Sequence, residues 1–148
     1  MAAAEELLDA LAGLRRAIRR SAVRPAELAD LTGAQVELVR LLRRRPGLSI
    51  ADAARELRVA PNTISTLVRQ LADAGFVARE VDAADRRVAR LTLEPAMRRK
   101  VEAWRDRRVE TLGSALAALP ELERRRLESA IPTLLRLGEK LEEEPGAA

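Results

Sequence analysis

Residues 49–93, SIADAARELRVAPNTISTLVRQLADAGFVAREVDAADRRVARLTL, decide the fold of this chain. Ser49, with Asp52 three positions later, predicts a capped helix start that satisfies two unpaired amides reciprocally. After a short break, Pro61 suits the first position of a second helix, which is expected to end just before Gly75. A polar turn flanked by two β-prone runs follows. The order is helix, tight turn, helix and β-hairpin, which is the layout of a winged helix-turn-helix.

The second helix of this segment has an apolar face and a polar face. At about 100° per residue, its apolar positions form one stripe that is expected to pack on the preceding helices. They are Ile64, Leu67, Val68 and Leu71. The opposite face carries, from its centre outward, Asn62, Thr66, Arg69, Thr63, Ser65 and Gln70. Such side chains suit base edges, because arginine can bridge guanine, an amide can bridge adenine and a threonine methyl can touch thymine.

This polar face has a second interpretation, since an exposed helix face is usually just solvated. The β-hairpin that follows also presents side chains that suit a nucleic-acid partner, which favours a nucleic-acid-binding function for the polar face. Ser49 and Pro61, which begin the two helices, complete the candidate DNA contacts of the helical part.

The hairpin is predicted from two runs, Val77–Val81 and Val88–Leu93, on either side of the polar turn DAADRR at residues 82–87. In the second run alternate side chains face the core, so that Arg90 and Thr92 face the other way. One face of the hairpin can therefore cover the core while its tip projects.

The tip of the hairpin carries two adjacent arginines, Arg86 and Arg87. Arginines on a projecting tip suit the narrow, electronegative minor groove of DNA. Asp85 is placed to hold one of them in register, and Arg90 is the remaining candidate DNA contact of the hairpin. Alternatively the turn is solvated, and its local ion pairs contribute little.

Four short motifs occur in a fixed order along the chain. They are L-T-G-A-Q at residues 31–35, P-G-L-S at 46–49, V-A-P-N-T-I-S at 59–65, and D-x-x-D-R-R at 82–87 followed by L-T at 91–92. Each is weak alone, but their order and spacing over residues 31–92 are together specific. Together they resemble the MarR (multiple antibiotic resistance regulator) family.

The resemblance implies a homodimeric, ligand-responsive transcription regulator whose recognition helix enters the major groove and whose wing arginine enters the minor groove. By position, Arg87 matches that arginine and Asp85 matches its usual partner. Three residues depart from the family pattern: Arg58 stands where a turn glycine is common, Ala60 replaces a serine cap, and Ala84 replaces an arginine of the wing. The first two predict a strained turn, and the third leaves one wing contact without its side chain.

The composition excludes several classes of function. The chain has 148 residues, no Cys and no His, and its only aromatic residues are Phe76 and Trp104. A disulfide, a thiol switch, an imidazole base and an ordinary zinc site are therefore excluded. Since neither a Gly-rich phosphate loop nor a nucleophile motif is present, the sequence predicts a protein that is not an enzyme and that uses no metal or cofactor.

Positive charge is concentrated in the winged segment. Residues 40–100 hold 14 Lys and Arg against 7 Asp and Glu, whereas residues 1–39 hold 5 against 6 and residues 101–148 hold 8 against 10. A basic segment in a winged helix-turn-helix is typical of a protein that binds the phosphates of a nucleic acid. The predicted partner is therefore double-stranded DNA.

The amino-terminal part is predicted to be a helix, with an apolar stripe of Leu7, Leu11, Leu14 and Ile18. It has no long apolar core, so neither a signal peptide nor a membrane span is expected. Thr32 and Gln35 then predict a capping box for a helix that runs to Arg45.

After the wing, one helix is expected from Pro95 to Leu119 and another from Glu121 to about Glu144, kinked or restarted at Pro132, before a frayed tail EEEPGAA. One small winged domain cannot cover all the apolar faces at both ends of the chain, so pairing with a second copy is expected. The alternative is a self-contained antiparallel bundle. This reasoning assigns residues 1–30 and 101–148 to dimerisation and residues 31–100 to a winged DNA-binding domain.

The helix after the wing carries a charge inside its apolar stripe. Counted from Met97 at about 100° per residue, Arg108 lies at about 20°, close to the direction of Val101 and Trp104. One interpretation is an ion pair with another helix or subunit, or exposure at a gap. The other is a crevice in which Trp104 and Arg108 hold a flat anionic aromatic ligand, near the junction where ligands bind in the family that the chain resembles.

The sequence thus predicts a mostly α protein with a small β-wing, a winged helix-turn-helix with a terminal-helix dimerisation domain. Its expected function is that of a cytoplasmic homodimeric repressor that binds an inverted-repeat operator and is released by a small ligand. The rival is a winged-helix protein that binds another protein or coats DNA without sequence preference. The chemistry of Asn62, Thr66 and Arg69 favours base reading.

Overall fold

Seven helices and one two-stranded hairpin make up the part of the chain that the computed structural model describes, residues 1–21 and 24–143. The helices are α1 (Ala2–Ser21), α2 (Ala26–Ala29), α3 (Gly33–Arg44), α4 (Ile50–Leu57), α5 (Pro61–Asp73), α6 (Pro95–Ala117) and α7 (Glu121–Glu143). The strands are β1 (Val77–Val81) and β2 (Ala89–Leu93). The predicted class, mostly helical with a small β-wing, is confirmed. No helix of the described part is long and apolar enough to span a membrane.

Helix α3 begins with the predicted capping box. Thr32 Oγ1 accepts a hydrogen bond from the backbone nitrogen of Gln35 at 3.3 Å, and Gln35 Oε1 accepts one from Thr32 N at 2.9 Å. Two amides that a helix start would leave unpaired are thereby satisfied. The short helix α2 before it, which the sequence analysis did not predict, begins after Pro25 and buries Leu28.

The turn between α4 and α5 is strained, as its sequence predicts. Ser49 caps α4 by accepting a hydrogen bond from the backbone nitrogen of Asp52 at 3.1 Å. Arg58, just after α4, has φ 52° and ψ 44°, in the left-handed region that costs a non-glycine residue roughly 1 to 2 kcal/mol. Ala60 provides no side-chain cap for α5, and Pro61 occupies its first turn.

The wing is an antiparallel hairpin whose register runs from Val77 opposite Leu93 to Val81 opposite Ala89. Its second strand begins one residue later than predicted, because the backbone of residue 88 closes the turn instead. Leu91 N also donates to Leu48 O at 2.8 Å, and the two residues form an isolated antiparallel bridge. The turn before α4 is therefore attached to the wing.

The chain divides into two compact units, Met1–Arg107 and Arg108–Ala148. The core of the first unit is aliphatic, and its fully buried large side chains are Leu38, Leu41, Leu42, Ile64, Val68, Leu71 and Leu91. Each contributes about 1.5 to 3 kcal/mol relative to an exposed position. Helix α1 belongs to this unit but buries none of its residues.

The second unit contains the end of α6 and all of α7. Helix α7 runs through Pro132 without the predicted restart, and none of its residues is buried. Its exposed large apolar side chains are Leu122, Leu127, Ile131, Leu134, Leu135, Leu137 and Leu141. Of the tail expected to fray, the first two residues are helical, and the rest lies outside the described residues.

Candidate nucleic-acid interface

Helix α5 presents its predicted polar face to solvent. Ile64, Val68 and Leu71 are completely buried on its other side, which fixes the rotation of the helix about its axis. The predicted reading residues are all exposed: Asn62, Thr63, Ser65, Thr66, Arg69 and Gln70. The structure therefore brings these six side chains together on one surface.

Hydrogen bonds organise part of this face. Thr66 Oγ1 donates to the backbone oxygen of Asn62 at 3.1 Å, so its hydroxyl proton is committed to the helix. Gln70 Oε1 accepts from Nε2 of Gln35, on α3, at 3.0 Å. Within residues 1–21 and 24–143, Arg69 takes part in no ion pair, so its guanidinium is available to a partner.

The two predicted contacts at helix starts differ in their availability. Ser49 is half-buried, and its hydroxyl, besides capping α4, donates to Asp52 Oδ2 at 2.8 Å. This hydrogen bond, with the nearby positive charges, holds the pKa of Asp52 below its usual value. Pro61 is exposed at the first turn of α5. The DNA contacts predicted for both residues stay predictions.

The tip of the wing is built on two aspartates. Asp82 Oδ1 accepts hydrogen bonds from the backbone nitrogens of Ala84 at 2.7 Å and Asp85 at 3.1 Å. Asp85 Oδ1 in turn accepts from the backbone nitrogen of Arg87 at 3.0 Å. Aspartates form such turns because their short side chains reach backbone amides two or three residues ahead. Asp85 thus holds Arg87 in register through its backbone, and the guanidinium remains available.

The two tip arginines project into solvent. Arg86 and Arg87 are exposed, and neither forms an ion pair with another part of the described chain. Since no ion-paired carboxylate offsets its field, such a guanidinium can attract a phosphate or enter the electronegative minor groove. Ala84, also exposed, adds no charge to this tip.

Arg90 is the second residue of β2, close to the wing tip, and is partly buried. Its Nε is 2.6 Å from Asp82 Oδ2, and its Nη1 donates to the backbone oxygen of Gly47 at 3.4 Å. The hydrogen bond from Arg90 is the main reason that the pKa of Asp82 lies below its usual value. Arg90 therefore braces the wing against the turn before α4, and its predicted DNA contact stays a prediction.

A second feature of the first unit is a crevice beside Trp104. It has a volume of about 250 Å³, open mouth included, and its lining residues are Arg24, Leu28, Leu31, Val36, Val39, Arg40, Val101 and Trp104. The Trp104 side chain is 8% exposed, and the guanidinium of Arg24 lies 5.8 Å from the centroid of its ring. Arg108 is half-buried and is the first residue of the second unit. Its predicted role beside Trp104 stays a prediction.

Helix α2, which carries part of the crevice lining, is tied to α6 by an ion pair. Lys100 Nζ contacts Glu27 Oε1, and this hydrogen bond lowers the pKa of the Glu27 carboxyl. Both residues are about half exposed, so the pair contributes little to stability. Its position shows that Glu27 lies on the side of α2 that faces α6.

Sequence reasoning missed three residues that the structure places at these sites. Gln35 was recognised only as a cap, and its contact with Gln70 joins positions 35 residues apart, which no local pattern encodes. Arg24, just before α2, and Arg40, on α3, line the crevice, whereas the sequence pattern on α6 pointed to Arg108. Contacts between elements distant in sequence are the common cause.

Comparison with known proteins agrees with this geometry. Residues 29–88 match the sequence profile of the MarR family. HTH-type transcriptional repressors of Mycobacterium bovis and Mycobacterium tuberculosis are 40% identical to the chain over 63 residues, which are 43% of this chain. The match spans only 45% of the length of those curated relatives.

Solved structures share the fold over almost the whole chain. The Streptococcus pneumoniae protein FabT, crystallised in complex with DNA, superposes with a TM-score of 0.78 at 19% identity, covering 93% of this chain and 96% of that one. A MarR-like transcriptional regulator from Thermotoga maritima gives 0.76 at 21% identity, covering 95% and 98%. At such identities the likeness establishes the fold.

Proposed function

We propose, from the match of residues 29–88 to the MarR family, that this chain is a cytoplasmic transcription regulator that binds double-stranded DNA with sequence specificity. One observation carries the proposal. The exposed polar face of α5 and the arginines of the wing tip, which form no ion pair within the described residues, are two separate exposed surfaces on one compact unit. A helix suits the major groove and a cationic tip suits the minor groove.

Helix α5 would supply base recognition. Its exposed centre is Asn62, Thr66 and Arg69, and Arg69 has no ion pair within the described residues to compete with a guanine. A bidentate arginine contributes about 1 to 3 kcal/mol of discrimination between bases. Asp73, the last residue of α5, is the only acidic residue of the helix.

The wing would supply affinity that depends less on sequence. Arg86 and Arg87 are held on a turn that Asp82 and Asp85 organise through backbone hydrogen bonds. A pre-organised tip loses little conformational entropy on binding, so more of the arginine–DNA attraction is retained.

We infer that two copies pair through residues 1–30 and 101–148, while residues 31–100 of each copy bind DNA. The support is that α1 and α7 are amphipathic or leucine-rich helices that bury none of their residues. Apolar surface of this extent is normally covered by a partner. A homodimer would bind an inverted-repeat operator.

A small ligand would release the DNA, which makes the protein a repressor. The crevice beside Trp104 supports this part, because an indole and the guanidinium groups of Arg24 and Arg40 around an apolar lining suit a flat anionic aromatic molecule. Arg108, one turn beyond Trp104 on α6, is the further ligand contact that we propose. Ligand binding lowers DNA affinity only as far as the ligand prefers the DNA-free form.

The rival function is a winged-helix module that binds another protein or coats DNA without sequence preference. Selection from a random pool of duplex DNA by the full-length protein tests the proposal. We expect enrichment of one inverted repeat, and labelled copies of it should resist competition by a large excess of bulk genomic DNA. The rival would be supported if no consensus emerges from the pool, or if bulk genomic DNA competes as well per unit mass as the selected duplex does.

A further inference from the structure

The two glutamines of the chain bind each other. Gln35 lies in the first turn of α3 and Gln70 in the second half of α5, and Gln35 Nε2 donates to Gln70 Oε1 at 3.0 Å. Gln70 is exposed on the flank of the reading face, about 80° around the helix from Asn62.

The hydrogen bonds around Gln35 fix the direction of both amides. Gln35 Oε1 accepts from the backbone nitrogen of Thr32, so its Nε2 is the group that reaches Gln70. Nε2 is a donor and requires an acceptor, which for Gln70 is Oε1. The Gln70 oxygen is therefore turned toward α3, and its NH₂ group is left for a partner.

We propose that Gln35 is a positioning residue: it fixes the orientation of the Gln70 amide, so that Gln70 presents its NH₂ group as a hydrogen-bond donor to DNA. This inference rests on the proposed function. A free glutamine amide can read adenine with its oxygen and nitrogen together. Gln70 instead offers its NH₂ group, which suits a phosphate oxygen or an acceptor on a base edge such as guanine N7 and O6 or thymine O4.

The Gln35→Glu variant tests this orientation directly. Glutamate at this position keeps the α3 cap, because its carboxylate still accepts from Thr32 N. It cannot donate, so Gln70 must turn its NH₂ group inward and its oxygen outward. We expect affinity for a duplex selected by the wild-type protein to fall at least about tenfold, against about fivefold for Gln70→Ala and Gln35→Ala.

Two controls separate orientation from charge and from helix stability. In the Gln70→Ala background, Gln35→Glu should reduce DNA affinity much less than it does in the wild-type protein. The remaining reduction is then the effect of the added charge alone. Thr32→Ala breaks the other hydrogen bond of the cap and should leave DNA affinity within about twofold. Thermal unfolding of each variant checks that it is folded.

Three results would overturn the inference while leaving the proposed function intact. The first is an equal loss of DNA affinity from Gln35→Glu in the wild-type and Gln70→Ala proteins. The second is a loss of DNA affinity from Thr32→Ala as large as that from Gln35→Ala. The third is unchanged DNA binding by Gln70→Ala. Failure of the wild-type protein to enrich any DNA would overturn the proposed function itself.

Selection repeated with Gln70→Ala identifies the acceptor. An unchanged consensus bound more weakly supports a phosphate contact, whereas loss of a guanine or thymine preference at one position supports a base contact. Loss of an adenine preference would overturn the inference, because it would mean that the amide reads with its oxygen as well.

Discussion

Asp82, the first residue of the wing tip, has its Oδ2 2.6 Å from Nε of Arg90, the second residue of strand β2. The same aspartate uses its other oxygen to organise the wing tip. One carboxylate therefore connects the braced strand β2 to the turn that carries Arg86 and Arg87.

The order of the wing should depend on the charge of Asp82. Its pKa is lowered in the folded protein by Arg90 and by backbone amides, so its contribution is complete above the ordinary aspartate pKa of about 4 and is lost as the pH falls through the lowered value. Amide NMR signals of residues 82–90 should broaden or shift below about pH 4. Asp82→Asn should show the change already at neutral pH, and a wing that is equally ordered in both proteins at all pH values would contradict this.

Arg58→Gly should stabilise the protein by about 1 kcal/mol. The residue has a left-handed backbone at φ 52°, which glycine adopts without strain. Urea denaturation measures the difference. Arg58→Ala is the matched control, since alanine loses the same side chain but keeps the strain. Equal stability of the Gly and Ala variants would mean that strain at this turn is negligible.

Arg69 and Arg87 should have different roles on DNA. Arg69→Ala should cost about 1 to 3 kcal/mol on the selected site and relax preference at one base pair. Arg87→Ala should weaken binding evenly across sequences and reduce the salt dependence by about one unit of slope. Titrations on selected and random duplexes at several salt concentrations provide both values. Equal losses on both duplexes for Arg69→Ala would assign that arginine to the backbone.

Aromatic acids of the salicylate type should quench Trp104 fluorescence and release DNA. Trp104 is the only tryptophan, so the signal has one source. Arg24→Ala and Arg108→Ala should each weaken both effects. Arg105→Ala is a suitable control because this exposed residue of α6 pairs with Asp106. If such acids change neither fluorescence nor DNA binding, the proposed ligand class is wrong.

Leu134→Glu should convert a dimer into a monomer. Leu134 is exposed in the middle of α7, where a second copy would cover it. Sedimentation of the wild-type protein at micromolar concentration should give twice the mass of one chain, and footprints should show two half-sites about 10 base pairs apart. Ser129→Glu, on the same helix, should leave the dimer intact. A monomeric wild-type protein would refute the pairing.

The local features of the fold could be predicted from the sequence, because they depend on residues close together in the chain. The Thr32–Gln35 capping box, the end of α5 before Gly75 and the strained backbone at Arg58 are all of this kind. The brace from Arg90 to Gly47 and the contact between the two glutamines could not be predicted, since each joins elements separated by more than 30 residues. The reading face was predictable because burial of Ile64, Val68 and Leu71 determines what remains outside.

The backbone bridge between Leu48 and Leu91 closes a loop that contains α4, α5 and β1. Closing a loop of this length costs entropy before any contact is gained, so the wing and the reading helix should form in one cooperative step during folding. The wing is consequently an integral part of the folded unit. Removing it would also remove the backbone partner of Leu48 just before α4, so the hairpin is part of the framework that positions the reading helix.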